Sequence, residues 1–230
     1  MKIRNYSIFF FIWTITLLMA CNKIDNYDRP NGGIYGKLID KISNEQLQTE
    51  QPNGFIIRLF EKGGQTQSPI AFFGKPDGTY ENAWIFQNEY KVLPTEGAFF
   101  PVDTVTISIG EYTELNFEVM PFLSLKNVNV TPVAGGVETT YQIVRDQVGD
   151  KIVEATTLIS TVPTVNNNVF DFKATNDLTS TADDVILAST ITDKVSDLMA
   201  GNVYYVRIAV RTNNNLKKYN YSKVFQVTIL

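Results

Sequence analysis

The chain has 230 residues, with 20 Lys and Arg against 24 Asp and Glu, no His and a single Cys. Without His there is no Ser-His-Asp triad, no Cys-His dyad and no His-ligated zinc or iron, and one Cys allows neither an intramolecular disulfide nor a thiolate cage. The formal charge of −4 lacks the basic face that general nucleic-acid binding needs, so no nucleic-acid partner is expected.

Lys2 and Arg4 open the chain. An apolar run from Ile8 to Leu18 follows, too short for a comfortable membrane span, and it closes on Leu18-Met19-Ala20-Cys21. A basic start, an apolar run, a small residue and then the sole Cys resemble a bacterial lipobox. Residues 1–20 read as a lipoprotein signal, cleaved after Ala20. Cys21 would carry diacylglycerol on its sulfur and an acyl group on the new amino terminus. Two or three chains hold a protein on a membrane where one does not, at about 0.8 kcal/mol per buried methylene. Losing Lys2 and Arg4 takes the mature charge from −4 to −6. Residues 21–31 are polar, contain Pro30 and show no periodicity, which reads as a tether.

From Gly32 the pattern is one of short strands between turns. Gly33–Asp40 and Phe55–Glu61 come first, the second dense enough in apolar residues for a central strand. Ile70–Phe73 precedes a turn at Lys75-Pro76-Asp77-Gly78. Ala83–Phe86, Tyr90–Leu93, Val105–Ile109 and Leu115–Val119 complete a set of about seven strands, which suits a small β-sandwich over residues 32–120. In the last of these, Leu115, Phe117 and Val119 share a face.

Met120-Pro121 reads as a seam, because proline removes a ladder donor. Beyond it, residues 121–230 hold a second set: Leu123–Val130, Val137–Val144, Val169–Phe172, Val203–Arg211 and Val224–Leu230. Val203–Arg211 is the strongest, with Tyr204, Val206, Ile208 and Val210 on one face and Arg207 and Arg211 on the other. Residues 181–200 admit a helix starting at Asp183-Asp184. Their Thr and Val content favours a strand and a short turn. The fold class is therefore all-β: two consecutive β-sandwich domains after a lipoprotein signal and a short tether.

Several segments together carry a family resemblance: Asp25-Asn26-Tyr27 with Pro30, Gly36–Asp40, Gln48–Gly54, Asp77–Asn82 and Glu96–Pro101. They resemble the DUF3823 family of Bacteroidetes lipoproteins, most densely from Asp25 to Pro121. The resemblance implies a transthyretin-like or carboxypeptidase-regulatory-like sandwich, followed by a fibronectin-III-like or immunoglobulin-like one. It also implies a setting beside the outer-membrane proteins that take up polysaccharides. It brings no catalytic residues.

Candidate ligand-binding residues fall in three places. Trp84, flanked by Asn82 and Gln87, would form a surface platform, since sugar rings present apolar C–H faces to aromatic rings and hydroxyls to amides. Glu50 and Asn53, in the polar stretch Thr49–Gly54, offer hydrogen bonds to hydroxyls, or simply make a turn. Tyr219 and Tyr221 follow an Asn-rich loop and offer the same chemistry, or merely begin a strand. No spaced carboxylate couple marks a glycosidase, no Asp-x-Asp-x-Asp-Gly loop marks a calcium site, and neither metal nor cofactor is expected.

The function that follows is a non-catalytic outer-membrane lipoprotein, lipid-anchored at the cell surface. It would bind glycan or serve as a scaffold beside uptake proteins. The alternative is a structural or adhesive surface protein whose partner is another protein.

Overall fold

The computed structural model describes residues 28–63 and 68–230. The signal of residues 1–20, Cys21 and the tether as far as Tyr27 lie outside the described residues.

The first sandwich is built from β1 (Gly32–Asp40), β2 (Ile56–Glu61), β3 (Ile70–Phe73), β4 (Thr79–Ile85), β5 (Glu89–Thr95), β6 (Val105–Ser108), β7 (Thr113–Glu114) and β8 (Phe117–Val119). One sheet runs β4-β1-β7, with β8 also along β1, and the other runs β3-β2-β5-β6. Alternation decides what faces inward. Ile34 and Leu38 of β1, Tyr80 and Ile85 of β4 and Phe117 and Val119 of β8 pack against Ile57 and Leu59 of β2 and Tyr90 and Val92 of β5.

Of the run Leu115–Val119, expected as one strand, only Phe117–Val119 is extended as β8; Leu115 and Asn116 separate it from β7, and both strands lie parallel to β1. Asn116 makes the break. Its Oδ1 accepts the Lys37 amide at 3.0 Å and so replaces a main-chain carbonyl in the ladder. At the same place the Tyr80 hydroxyl donates to the Leu115 carbonyl oxygen. Gly36 permits this crossing, because a Cβ there would lie 1.8 Å from that oxygen.

The second sandwich contains β9 (Ser124–Val133), β10 (Gly136–Val144), β11 (Ile152–Ser160), β12 (Phe172–Asp177), the short helix α1 (Asp183–Ala188), β13 (Ile191–Val195), β14 (Val203–Thr212), β15 (Asn220–Tyr221) and β16 (Phe225–Thr228). Its sheets are β13-β10-β9 and β12-β11-β14-β15, with β16 also on β14. Tyr141 and Ile143 meet Ile152, Ile208 and Val210 between the sheets, and Val137 and Val195 meet Ile159, Tyr204 and Val206. Asp193 stitches the layers together, accepting from Tyr141 Oη at 2.9 Å, Thr157 Oγ1 at 2.6 Å and Asn176 Nδ2 at 2.6 Å.

Three sequence expectations change here. First, residues 183–188 are helical rather than extended. Asp183 is held by Arg145 at 2.9 Å and by the Ile152 amide at 3.2 Å, and Ile186 turns into the core. The strand expected in this stretch starts only at Ile191.

Second, Val169 is not in a strand and makes only an isolated bridge to Asn166. The strand begins at Phe172, after Asp171 has tied down the end of β11. Asp171 Oδ2 accepts from the Thr161 amide at 2.7 Å, and from Thr161 Oγ1 and Ser160 Oγ at 3.0 Å each. These bonds, the backbone one foremost, hold the Asp171 carboxyl below its ordinary value near 3.8. A depressed carboxyl stabilises the fold above its unfolded pKa and loses that contribution as pH falls through the folded one. Asp171→Asn is thus expected to lower the unfolding temperature near pH 7 and to lower it progressively less as pH falls below 3.8, measured by calorimetry across that range.

Third, β11 is a central nine-residue strand that no alternation announced. Its inner face packs between the sheets. Its outer face, Leu158 with Ala209 of β14, is covered by Val165, Tyr219 and Tyr221, with Phe170 and Tyr205 alongside.

Candidate functional site

The strand pair β1–β4 carries the site. Gly32 pairs with Ile85 and Ile34 with Asn82, so Gly33 alone faces both Ala83 and Trp84. That is a β-bulge, and it re-aims side chains. Ile85 and Tyr80 stay in the core, while Trp84 is turned out to 73% exposure. The bulge also frees the Trp84 amide from the ladder, and Asn82 Oδ1 accepts it at 2.9 Å. Gln87 Nε2 donates to the Asn31 carbonyl at 3.1 Å. Of the three residues singled out from the sequence, Asn82 and Trp84 are thus joined by a hydrogen bond, and Gln87 lies at the adjoining strand end. Trp84 provides the surface, Asn82 holds the backbone that presents it, and Gln87 fastens the end of β4 to the start of β1.

Sequence reasoning missed the neighbour of this platform. Tyr112, 54% exposed, stacks on Tyr35 with centroids 4.4 Å apart and planes 18° from parallel. The Tyr112 ring rests against Gly33, where a Cβ would come within 3.0 Å of it. Trp84 and Tyr112 therefore sit at the same end of the β1–β4 pair. The Tyr112 hydroxyl donates to Glu81 Oε1 at 2.6 Å, and Lys75 Nζ lies 3.4 Å from Glu81 Oε2. The Tyr112 bond, then Lys75, lowers the Glu81 pKa, and the same bond raises that of Tyr112. Nothing local in the sequence marked Tyr112, because the glycine that leaves room for its ring lies far away in the chain.

The other candidates are somewhere else and do something else. Tyr219 and Tyr221 are only 8% and 7% exposed, and the Glu50 side chain 12%. Tyr221 and Glu50 meet across the junction between the two sandwiches and Tyr219 is covered within the second, so the reading of them as exposed ligand contacts is corrected. The Tyr221 hydroxyl donates to Glu50 Oε2 at 3.0 Å, and Lys218 Nζ sits 3.3 Å from Glu50 Oε1 while also donating to the Asn53 carbonyl. Asn53 serves as the left-handed residue of a turn, with φ of 67°, and contributes that main-chain oxygen rather than its amide.

Beneath Tyr221 lies Arg207, its guanidinium carbon 4.4 Å from the ring centre, with Nε donating to the Ser222 carbonyl at 2.9 Å. Burial draws the Arg207 pKa down to about 10, against the pull of Tyr221 and Glu50, so it stays charged at neutral pH. Tyr219 repeats the arrangement one turn of the ladder away. It donates to Glu154 at 2.8 Å under Arg211, and burial foremost, then Glu154, pushes its pKa up to about 12. Asn220 links the domains again, donating to the Ala98 carbonyl at 2.8 Å and accepting from the Leu123 amide at 3.1 Å.

Residues 32–120 match the family model described as protein of unknown function (DUF3823), N-terminal domain. Solved structures extend the likeness over both sandwiches. A DUF3823 family protein from Bacteroides uniformis covers 87% of this chain and 100% of its own, with 21% identity and a TM-score of 0.78. One from Parabacteroides merdae does the same at 19% identity and a TM-score of 0.74. A third, from Bacteroides uniformis, is a "putative carbohydrate binding protein", at 19% identity, the same coverage and a TM-score of 0.73. At these identities the shared property is the fold. No curated protein matches the chain.

Proposed function

We propose that this chain is a non-catalytic, lipid-anchored protein of the outer-membrane surface that binds polysaccharide through Trp84 and Tyr112, as an accessory to uptake proteins. The observation that carries the reading is the bulge at Trp84. A bulge, Gly33 and Asn82 together turn the indole out of the strand's alternation and present it to solvent. Aromatic rings beside amide and carboxylate groups suit a sugar, whose C–H face stacks while its hydroxyls hydrogen-bond. Glu81 is engaged by Tyr112 and Lys75, so it serves as an acceptor rather than as an acid or base. The similar fold of a Bacteroides uniformis structure named for carbohydrate binding supports the same ligand class.

Electrophoresis of the full-length chain through gels holding dissolved polysaccharides tests binding. Retardation by at least one neutral polysaccharide is expected, and uniform mobility in all of them would contradict it. The protein-binding alternative draws on Phe73, exposed on the outer face of β3, and uniform mobility would favour it. Attachment is tested separately. Cys21→Ala is expected to move the protein from the membrane pellet to the soluble fraction, and unchanged sedimentation would refute the anchor.

A further inference from the structure

A cleft of about 370 Å³ opens between the two sandwiches, at the far end of β1 from Trp84. Eight steps along the strand lead from Gly32 to Asp40, so the two places lie about 26 Å apart. One wall is the loop after β1, with Gln46 and Gln48, and the other is the start of β9, with Asn127. The floor is apolar, formed by the buried Leu47 and Leu123 beside Tyr221.

Its charges are largely spoken for. Asp40 accepts from the Ile42 amide at 2.9 Å and from Ser124 Oγ at 3.3 Å. Glu45 pairs with Lys223 at 3.0 Å, from one domain to the other across the rim. The remaining charged residues of the lining are Lys126 and Asp146, of opposite sign. The amides are differently placed. Asn127 uses its nitrogen on Gln142 Oε1 at 2.7 Å, and among the described residues neither its oxygen nor the Gln46 carboxamide has a protein partner. Gln48 Nε2 donates to the Gln46 carbonyl at 3.3 Å, which aims its oxygen without occupying it. The junction contacts through Glu50, Lys218 and Asn220 fix the two walls, so the cleft is preformed. Preformed clefts at domain junctions, of 300–1,000 Å³, with an apolar floor and a few polar groups, are where small ligands bind.

We propose that this cleft is a second binding site, for a neutral, hydroxyl-rich ligand, a single sugar residue or the end of a chain. Three carboxylates against two ammonium groups in the lining disfavour phosphate, sulfate and uronate. Amide donors and acceptors over an apolar floor fit a pyranose ring. The ligand class rests on the proposed function, whereas the place does not.

The test follows the side-chain amide resonances of Gln46, Gln48 and Asn127 in the full-length chain in detergent. The probes are glucose, galactose, mannose and xylose, with glucuronate as the anionic comparison. Saturable shifts of these amides with at least one neutral sugar are expected. Affinity read at the cleft amides should fall at least tenfold in Gln48→Trp, which fills the cleft, and about threefold in the gentler Gln46→Ala. Shifts at the cleft with a stationary Trp84 indole uphold this site while the Trp84 reading fails. A moving indole with stationary cleft amides overturns this site and leaves the Trp84 reading standing. Equal shifts with glucuronate overturn the neutral class.

Discussion

Trp84→Ala is expected to weaken polysaccharide binding about tenfold or more while leaving stability nearly unchanged. The two halves of that result come from different parts of the structure. The indole is exposed and contributes little to the core, so its removal falls in the range of about ±0.5 kcal/mol typical of surface positions. Truncating a central aromatic contact in an interface costs about 2 kcal/mol, and each 1.4 kcal/mol is a factor of ten. Trp84→Phe keeps a smaller apolar face and should lose less. Titration calorimetry with a retained polysaccharide, together with thermal unfolding of the same samples, checks both halves. Loss of binding together with a large drop in unfolding temperature would mean that Trp84 is structural.

Glu50→Ala is expected to do the reverse, lowering stability by about 3 kcal/mol and leaving affinity at Trp84 intact. The substitution strips the Tyr221 hydroxyl and the Lys218 ammonium of their acceptor where both are largely buried. Removing one partner of a buried ion pair costs about 3–5 kcal/mol, because the other charge remains without compensation. The lower end is appropriate, since Lys218 keeps the Asn53 carbonyl. At about 2–4 °C per kcal/mol for a chain of this size, the unfolding temperature should fall by about 6–12 °C. Glu50→Gln keeps an acceptor for Tyr221 and should lose about half as much, and Tyr221→Phe about 1 kcal/mol. If Glu50→Ala unfolds like the parent but loses glycan, then Glu50 is a ligand contact after all.

The strands were legible wherever one face was buried and the other wet, as in Ile34–Asp40, Ile57–Leu59 and Val137–Val144. They were hidden where both faces are covered. In β11 the residues Ala155 to Ser160 are all buried, Thr156 and Thr157 among them, so no polar–apolar alternation exists to be read. Helix α1 was hidden for a related reason. Its β-branched Val185 and Ile186 suit a strand, and the helix is held by Asp183 reaching Arg145, a partner 38 residues away.

The same limit governed the candidate residues. Trp84 could be picked out because its neighbours in sequence, Asn82 and Gln87, are also its structural supports. Tyr112 could not, because Tyr35 and Glu81, which position it, are more than 30 residues away. Tyr219 and Tyr221 looked available because the loop before them is polar, yet their hydroxyls are taken by Glu154 and Glu50, from a distant strand and from the other domain. Local polarity describes a segment's own residues, and burial is decided by what folds over it.

Trp84 and Trp13 are the only tryptophans, so the indole N–H region of a spectrum holds two resonances, assignable by comparison with Trp84→Phe. Titrating a retained polysaccharide into the labelled full-length chain in detergent reads the central claim directly. The Trp84 resonance is predicted to shift saturably, with the same midpoint as the calorimetric binding. Binding by calorimetry while that resonance stays in place would contradict the account.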